Sequence, residues 1–272
     1  MLEEQRGAEE AEETLEALGF DALPIIPDQV AASINCDGFR LIFEKKEFDS
    51  GGILGTAKGN NKGAIVYVNA NISDLGRFNF TAAHELGHVC MHIMPQKKTS
   101  FECGSKEIYS QYDDPIEKEA NGFASGLLMP KRLIYKHFDG DINWFNISRL
   151  SELCKSSLEA TYRRLSNLEN LPTAFIIHEN GVFRRFVVSS SFDFYIERSP
   201  LSSYQQDLAV DVKEEPYPPD FETVDASDWI IPKSNGICLE SVYASTILLN
   251  DGFSYTIVTY DDDCILDDSE FY

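Results

Sequence analysis

The stretch RFNFTAAHELGHVCMHI, residues 77–93, places His84, His88 and His92, three of the chain's five histidines, within nine residues. It reads either as a metal site or as the packed face of a helix that carries imidazoles incidentally. Asn79 or Thr81 can cap such a helix, and Phe80, Ala83, Leu86, Gly87 and Cys90 suit a buried stripe. His84, Glu85 and His88 spell H-E-x-x-H. A four-residue spacing puts both imidazoles on one face, about 6 Å apart along the axis. Two ring nitrogens can then converge on one Zn2+ at roughly 2.0–2.1 Å each. Glu85 projects beside them, where a carboxylate can take a proton from water on the ion and pass it to a leaving amine. A third ligand is needed to separate the two readings.

His92 continues the same face but lies about 12 Å along the axis from His84, too far to share a tetrahedral ion. The longer motif that recruits a third histidine, H-E-x-x-H-x-x-G-x-x-H, is not met, since position 94 is Met. His92 therefore reads as a supporting, packing or rim residue.

The next helix, DDPIEKEANGFASGLLMP over residues 113–130, does better. Asp114 sits at the N-cap, Pro115 at the first helical position, and Pro130 stops it. At 100° per residue Ile116, Ala120, Phe123, Ala124, Leu127 and Leu128 form its apolar arc. Glu117 falls inside that arc and Glu119 outside it. A carboxylate turned toward a core needs a cation or a set of donors. An ion held by His84 and His88 would be the cation; a capping box between Asp114 and Glu117 is the competing reading. One turn on, Asn121 shares the side of Glu117 and can orient a ligand.

RFNFTAAHELGH, followed about thirty residues later by EKEANGFASGLLMP, closely resembles the ImmA/IrrE family of bacterial metallopeptidases, which pair H-E-x-x-H with a downstream E-x-x-x-N helix ending in Leu-Met-Pro. SGGILG (residues 50–55), AIVYVN (64–69) and the helix-turn-helix-like LSELCKSSLEATYRRL (150–165) extend the resemblance over residues 20–168, and DWIIPKSNGICLESVYAS (228–245) continues it loosely. The resemblance implies a zinc endopeptidase with Zn2+ on His84, His88 and Glu117 and with Glu85 as the catalytic base. It also implies a helix-turn-helix (XRE-type) repressor as the protein cleaved, which switches on stress, mobile-element or prophage genes, and a sensor-like C-terminal region. Three protein ligands leave a fourth position to water, whose pKa zinc lowers toward about 7. Tyr109, Tyr112 and His92 are candidates for steadying the oxyanion, with no order among them. SGGILGTAKG, residues 50–59, is a candidate sheet edge for an added substrate strand.

The fold expected is α+β. A zincin-like peptidase domain occupies residues 1–145, a helix-turn-helix-like segment 146–170, and an acidic α/β domain 171–272. Within the last of these, AFIIHENGVFRRFVV (174–188) is a hairpin, because Asn180-Gly181 supplies the positive φ angles of a type I′ turn.

Composition narrows the alternatives. No run of about 18 apolar residues suggests a membrane span, and the acidic start lacks the basic and apolar regions of a signal peptide, so cytoplasmic residence is expected. Six scattered cysteines form no C-x-x-C pair and should stay reduced there. Net charge is −22, and the last 72 residues hold sixteen Asp and Glu against Lys213 and Lys233. Such a surface repels phosphate backbones. Arg149, Lys155, Arg163 and Arg164 give residues 146–170 some basic character, but Glu152, Glu159 and Glu169 offset most of it, so direct DNA binding is disfavoured. The rival to an enzyme is a non-proteolytic regulatory module that sequesters a repressor or partner protein; the complete His84, Glu85, His88 and Glu117 set speaks against it.

Overall fold

The computed structural model describes residues 2–34, 38–48, 52–104, 114–213, 219–233 and 238–265. The chain falls into two compact units, Met1–Phe138 with Leu150–Thr161, and Asp139–Arg149 with Tyr162–Tyr272. Both mix helices with strands, so the chain is α+β as its sequence leads one to expect. Among the described residues no helix is long and apolar enough to cross a membrane.

In the first unit α1 (Leu2–Leu18) ends at Gly19, whose φ is +78°. Gly19 N–H bonds Glu16 O and Phe20 N–H bonds Leu15 O, the paired closure that left-handed glycine permits after a helix. Pro27 opens α2 (Pro27–Ser33), which buries Val30 and Ala31. A four-stranded sheet follows, built from β1 (Arg40–Lys46), β2 (Ile53–Asn60), β3 (Gly63–Asn69) and β4 (Ser100–Gly104) in the order β1-β3-β2-β4. β1 runs parallel to β3 with Arg40 opposite Gly63, and β2 runs antiparallel to both β3 and β4. Ala64, Val66 and Val68 alternate inward along β3, the two-residue period of a sheet with one covered face. The described part of SGGILGTAKG is therefore no edge: β2 is paired on both flanks, and among the described residues β4 pairs with β2 alone. Sequence spacing could not show this, because β4 reaches β2 only after the intervening helix.

The histidine helix, α3 (Leu75–His88), starts earlier than its sequence suggested. Asp74 is the N-cap and accepts from Arg77 N–H at 2.7 Å, whereas Asn79 and Thr81 lie inside the helix and are buried. Asn79 Nδ2 donates instead to Lys155 O at 3.3 Å. Residues 81–88 are buried on every side rather than along one stripe. At Val89–Ile93 the helix widens to a π turn, closed by Met94 N–H on Val89 O at 2.9 Å. Such turns recur at functional sites.

α4 (Pro115–Leu128) has Asp114 as N-cap, accepting from Ile116 N–H at 2.9 Å. It packs on α1 through glycines. A β-carbon on Gly126 would lie 2.6 Å from Ala8 Cα, and carbons on Gly7 and Gly122 would run into the backbones of α4 and α1. The short α5 (Lys131–Ile134) follows. Two further helices, α6 (Trp144–Cys154) and α7 (Leu158–Leu168), are joined by a turn with Lys155 at φ +55°. Ser157 Oγ caps α7 by accepting from Ala160 N–H at 3.1 Å.

The second unit is a mixed sheet with short helices. β5 (Thr173–Glu179) and β6 (Val182–Val188) form the expected hairpin, with Asn180 and Gly181 at φ +52° and +75°. The sheet continues through β12 (Phe253–Thr259), β11 (Ser241–Leu248) and β8 (Val210–Asp211), while β9 (Glu222–Asp225) also pairs with β11. β7 (Tyr195–Ile196) pairs with β10 (Ile230–Ile231). Ser202 and Gln205 make a reciprocal capping box on α8 (Ser203–Asp207). Ile176, Phe192, Trp229, Val242 and Val258 are among the residues of its core. Trp144 is buried in the same unit and donates to Ser245 O at 3.0 Å.

Candidate metal centre

α3 and α4 bring His84, His88 and Glu117 together, with one ligand atom from each lying within 4.8 Å of the others. Glu117 Oε2 is 3.2 Å from His84 Nε2, and Oε1 is 3.6 Å from His88 Nε2. The capping-box alternative is not what forms: Asp114 caps alone, and the Glu117 carboxylate, 19% exposed, turns to the imidazoles. Burial works against its ionised form, but the two histidines beside it more than offset this and hold the carboxyl below the usual carboxylate range.

The hydrogen positions on both rings follow from their partners. Asn121 Oδ1 lies 2.9 Å from His84 Nδ1; an amide oxygen only accepts, so that nitrogen carries the hydrogen. His92 Nε2 lies 2.9 Å from Glu119 Oε2, and a carboxylate also only accepts. His92 Nε2 therefore donates, its Nδ1 accepts, and His88 Nδ1, 3.1 Å away, carries the hydrogen between the two rings. Burial holds the second and third imidazoles neutral, pushing His88 down to about 4 and His92 to about 3. In these tautomers both Nε2 atoms of the H-E-x-x-H pair are left bare, and they face each other at 3.0 Å. Two imidazole nitrogens and a carboxylate converging at that separation form a donor set that a cation among them would satisfy. The donor set of two imidazoles and one carboxylate fits Zn2+ and suits other divalent transition ions as well.

Glu85 is fully buried, and neither of its oxygens has a hydrogen-bond partner. Desolvation, then the charge of Glu117, raises its carboxyl well above the ordinary range. β2 passes over it at Gly55, where the strand carries a bulge between Ile53 and Gly55. Phe101 of β4 stacks on the His88 ring with centroids 4.0 Å apart and planes at 10°.

Of the residues singled out in the sequence, His84, Glu85, His88, Glu117 and Asn121 meet here. His92 points away from the bare nitrogens, toward Glu119. Tyr109 and Tyr112 lie outside the described residues. Glu119 stands on the other side of what the helical wheel suggested. It is 5% exposed, because α1 covers that face of α4 and Arg6 of α1 pairs with its carboxylate. Nothing local to α4 signals this; Gly7, Gly122 and Gly126, which let the two backbones meet, carry no apolar pattern to read.

A helix carrying two imidazoles, packed on a four-stranded mixed sheet and facing a second helix that brings the carboxylate, defines a zincin-like domain of metallopeptidase type. The family comparison agrees. Residues 38–166 match the Peptidase_M78 family, described as the IrrE N-terminal-like domain. The match runs from just before β1 into α7, so that part of the chain is similar to the ImmA/IrrE metallopeptidases. Among solved structures, a Mycobacterium tuberculosis transcriptional regulator is similar at 15% identity and a TM-score of 0.48, over 96% of this chain and 88% of that one. No curated protein matches.

Proposed function

We propose that the chain is a zinc-dependent endopeptidase whose ligands are His84, His88 and Glu117. The observation that carries this reading is the convergence of two bare imidazole nitrogens and a carboxylate beside a buried carboxyl with no partner of its own. A divalent ion held there would supply Lewis acidity toward a peptide carbonyl and toward water. Glu85 has the placement of the proton carrier. It takes the proton from the water that attacks the carbonyl carbon and returns it to the departing amine nitrogen. Its dry surroundings favour the protonated form, which is the form that returns the proton to the departing amine. Asn121 holds the His84 ring from behind. An extended peptide can lie along β4, next to the stacked Phe101.

For the substrate, the family resemblance supports a helix-turn-helix repressor whose cleavage derepresses stress, mobile-element or prophage genes, in the cytoplasm. The acidic C-terminal part of the chain suits a basic protein partner. The experiment is to incubate the zinc-loaded chain with a panel of XRE-type repressors and read new termini by mass spectrometry, beside Glu85→Gln and a chelated control. Cleavage by the wild type alone is expected. Equal cleavage in all three samples contradicts the reading, and tight binding without cleavage favours the sequestering module.

A further inference from the structure

Behind His88, away from the bare nitrogens, three charged or polar side chains form one line, His92 of the π turn, Glu119 of α4 and Arg6 of α1. Arg6 of α1 pairs with Glu119 Oε1. Glu119 Oε2 accepts from His92 Nε2 at 2.9 Å. His92 Nδ1 faces His88 Nδ1 at 3.1 Å. His92 is fully buried and the Glu119 side chain is 6% exposed, so neither has water to take the place of a lost partner. Arg6 is the end that meets solvent, its side chain 58% exposed.

We infer that His92, Glu119 and Arg6 are positioning residues for the metal centre, acting through the tautomer of His88, and that the N-terminal helix is thereby part of the site. This rests on the metal-centre reading above. The reasoning is about which nitrogen bears hydrogen. As long as Glu119 is a carboxylate it can only accept, which puts the His92 hydrogen on Nε2 and leaves His92 Nδ1 to accept from His88. His88 Nε2 is then bare by construction. Were residue 119 able to donate, His92 could take its other tautomer and donate from Nδ1, forcing the His88 hydrogen onto Nε2 and blocking the ligand atom. Arg6 pairs with the oxygen opposite the one that His92 uses, which fixes the carboxylate's orientation. The family match begins at residue 38, so it assigns nothing to α1 or to Arg6.

The test uses the full chain and Co2+, whose visible absorption reports ligand geometry, with Zn2+ affinity measured by competition against a chromophoric chelator. Glu119→Gln keeps the shape and gains a donor, His92→Phe keeps the ring and loses the acceptor, and Arg6→Ala sits where the chain is exposed. Removing an outer partner of a metal-bound histidine typically weakens metal binding by about 10- to 100-fold. That loss, with an altered cobalt spectrum, is expected in Glu119→Gln and His92→Phe. A loss of affinity larger than any loss of metal-free stability accounts for is expected in Arg6→Ala, and wild-type affinity in Arg6→Lys. Wild-type affinity and spectrum in Glu119→Gln and Arg6→Ala would overturn the inference while leaving the metal centre standing. So would losses of affinity that only track losses of metal-free stability. A wild type that binds neither ion would overturn the metal centre itself.

Discussion

Gly55 lies so close to Glu85 that a β-carbon on it would come within 2.7 Å of Oε1 and 2.8 Å of Cγ. Strand β2 crosses the buried carboxyl with backbone alone. Gly55→Ala must push Glu85 or the strand aside, and overpacking of this kind costs about 1–3 kcal/mol. The expected outcome is a lower melting temperature and a sharp fall in peptide hydrolysis, with metal content unchanged, since the carbon's nearest neighbours are Glu85 and Thr81 and not the ligands. Wild-type hydrolysis in Gly55→Ala would mean that Glu85 does not need its present position.

Glu85→Gln should keep the ion and lose the reaction. The amide has nearly the same shape but cannot carry a proton to the leaving nitrogen, a role whose removal costs roughly 10²- to 10⁴-fold. Metal analysis and a peptide assay on the same preparation separate the two effects. Loss of the ion in this variant would instead make Glu85 part of the binding set.

The candidate triad was legible because each member obeys a local rule. His84 and His88 share a face by helical spacing, and Glu117 stands out as a carboxylate inside an apolar arc. Asn121 follows one turn after Glu117. What the sequence left hidden depends on contacts between distant segments. Glu119 is buried by a helix more than a hundred residues upstream, and the approach of that helix depends on glycines that leave no hydrophobic signature. The place of β2 inside its sheet is set by β4, which lies beyond α3. The start of α3 was misplaced for a local reason: Asn79 and Thr81 are good capping residues, but Asp74 holds the helix end and the turn after α6 claims Asn79.

Contact between α1 and α4 should fail on adding side-chain volume at its glycines. Gly126→Val would drive a side chain into Ala8, where a β-carbon alone comes within 2.6 Å of backbone. A loss of about 1–3 kcal/mol or more is expected. Because α1 carries Arg6, metal affinity should fall with it. Chemical denaturation of the metal-free chain beside zinc titration measures both; unchanged stability would show that the two helices can separate at no cost.

In the second unit His178 is buried between Phe183 and Trp229, with Nδ1 unsatisfied. Burial lowers its pKa below the ordinary imidazole value of 6.5. The unfolded chain then takes up a proton that the folded ring resists. Stability should therefore be full above pH 6.5 and fall as pH drops below it, by at most about 1.4 kcal/mol per unit from this group. His178→Phe should remove that component. Denaturant titrations at several pH values check it, and an identical pH slope in the variant would contradict it.

The most direct test of the metal centre is the zinc content of the purified chain by native mass spectrometry, beside Glu117→Ala and with melting curves before and after chelation. The expected result is about one zinc per wild-type chain, none retained by Glu117→Ala, and a melting temperature lowered by chelation only in the wild type. Equal zinc in both proteins, or none in either, would contradict the assignment of His84, His88 and Glu117 as its ligands.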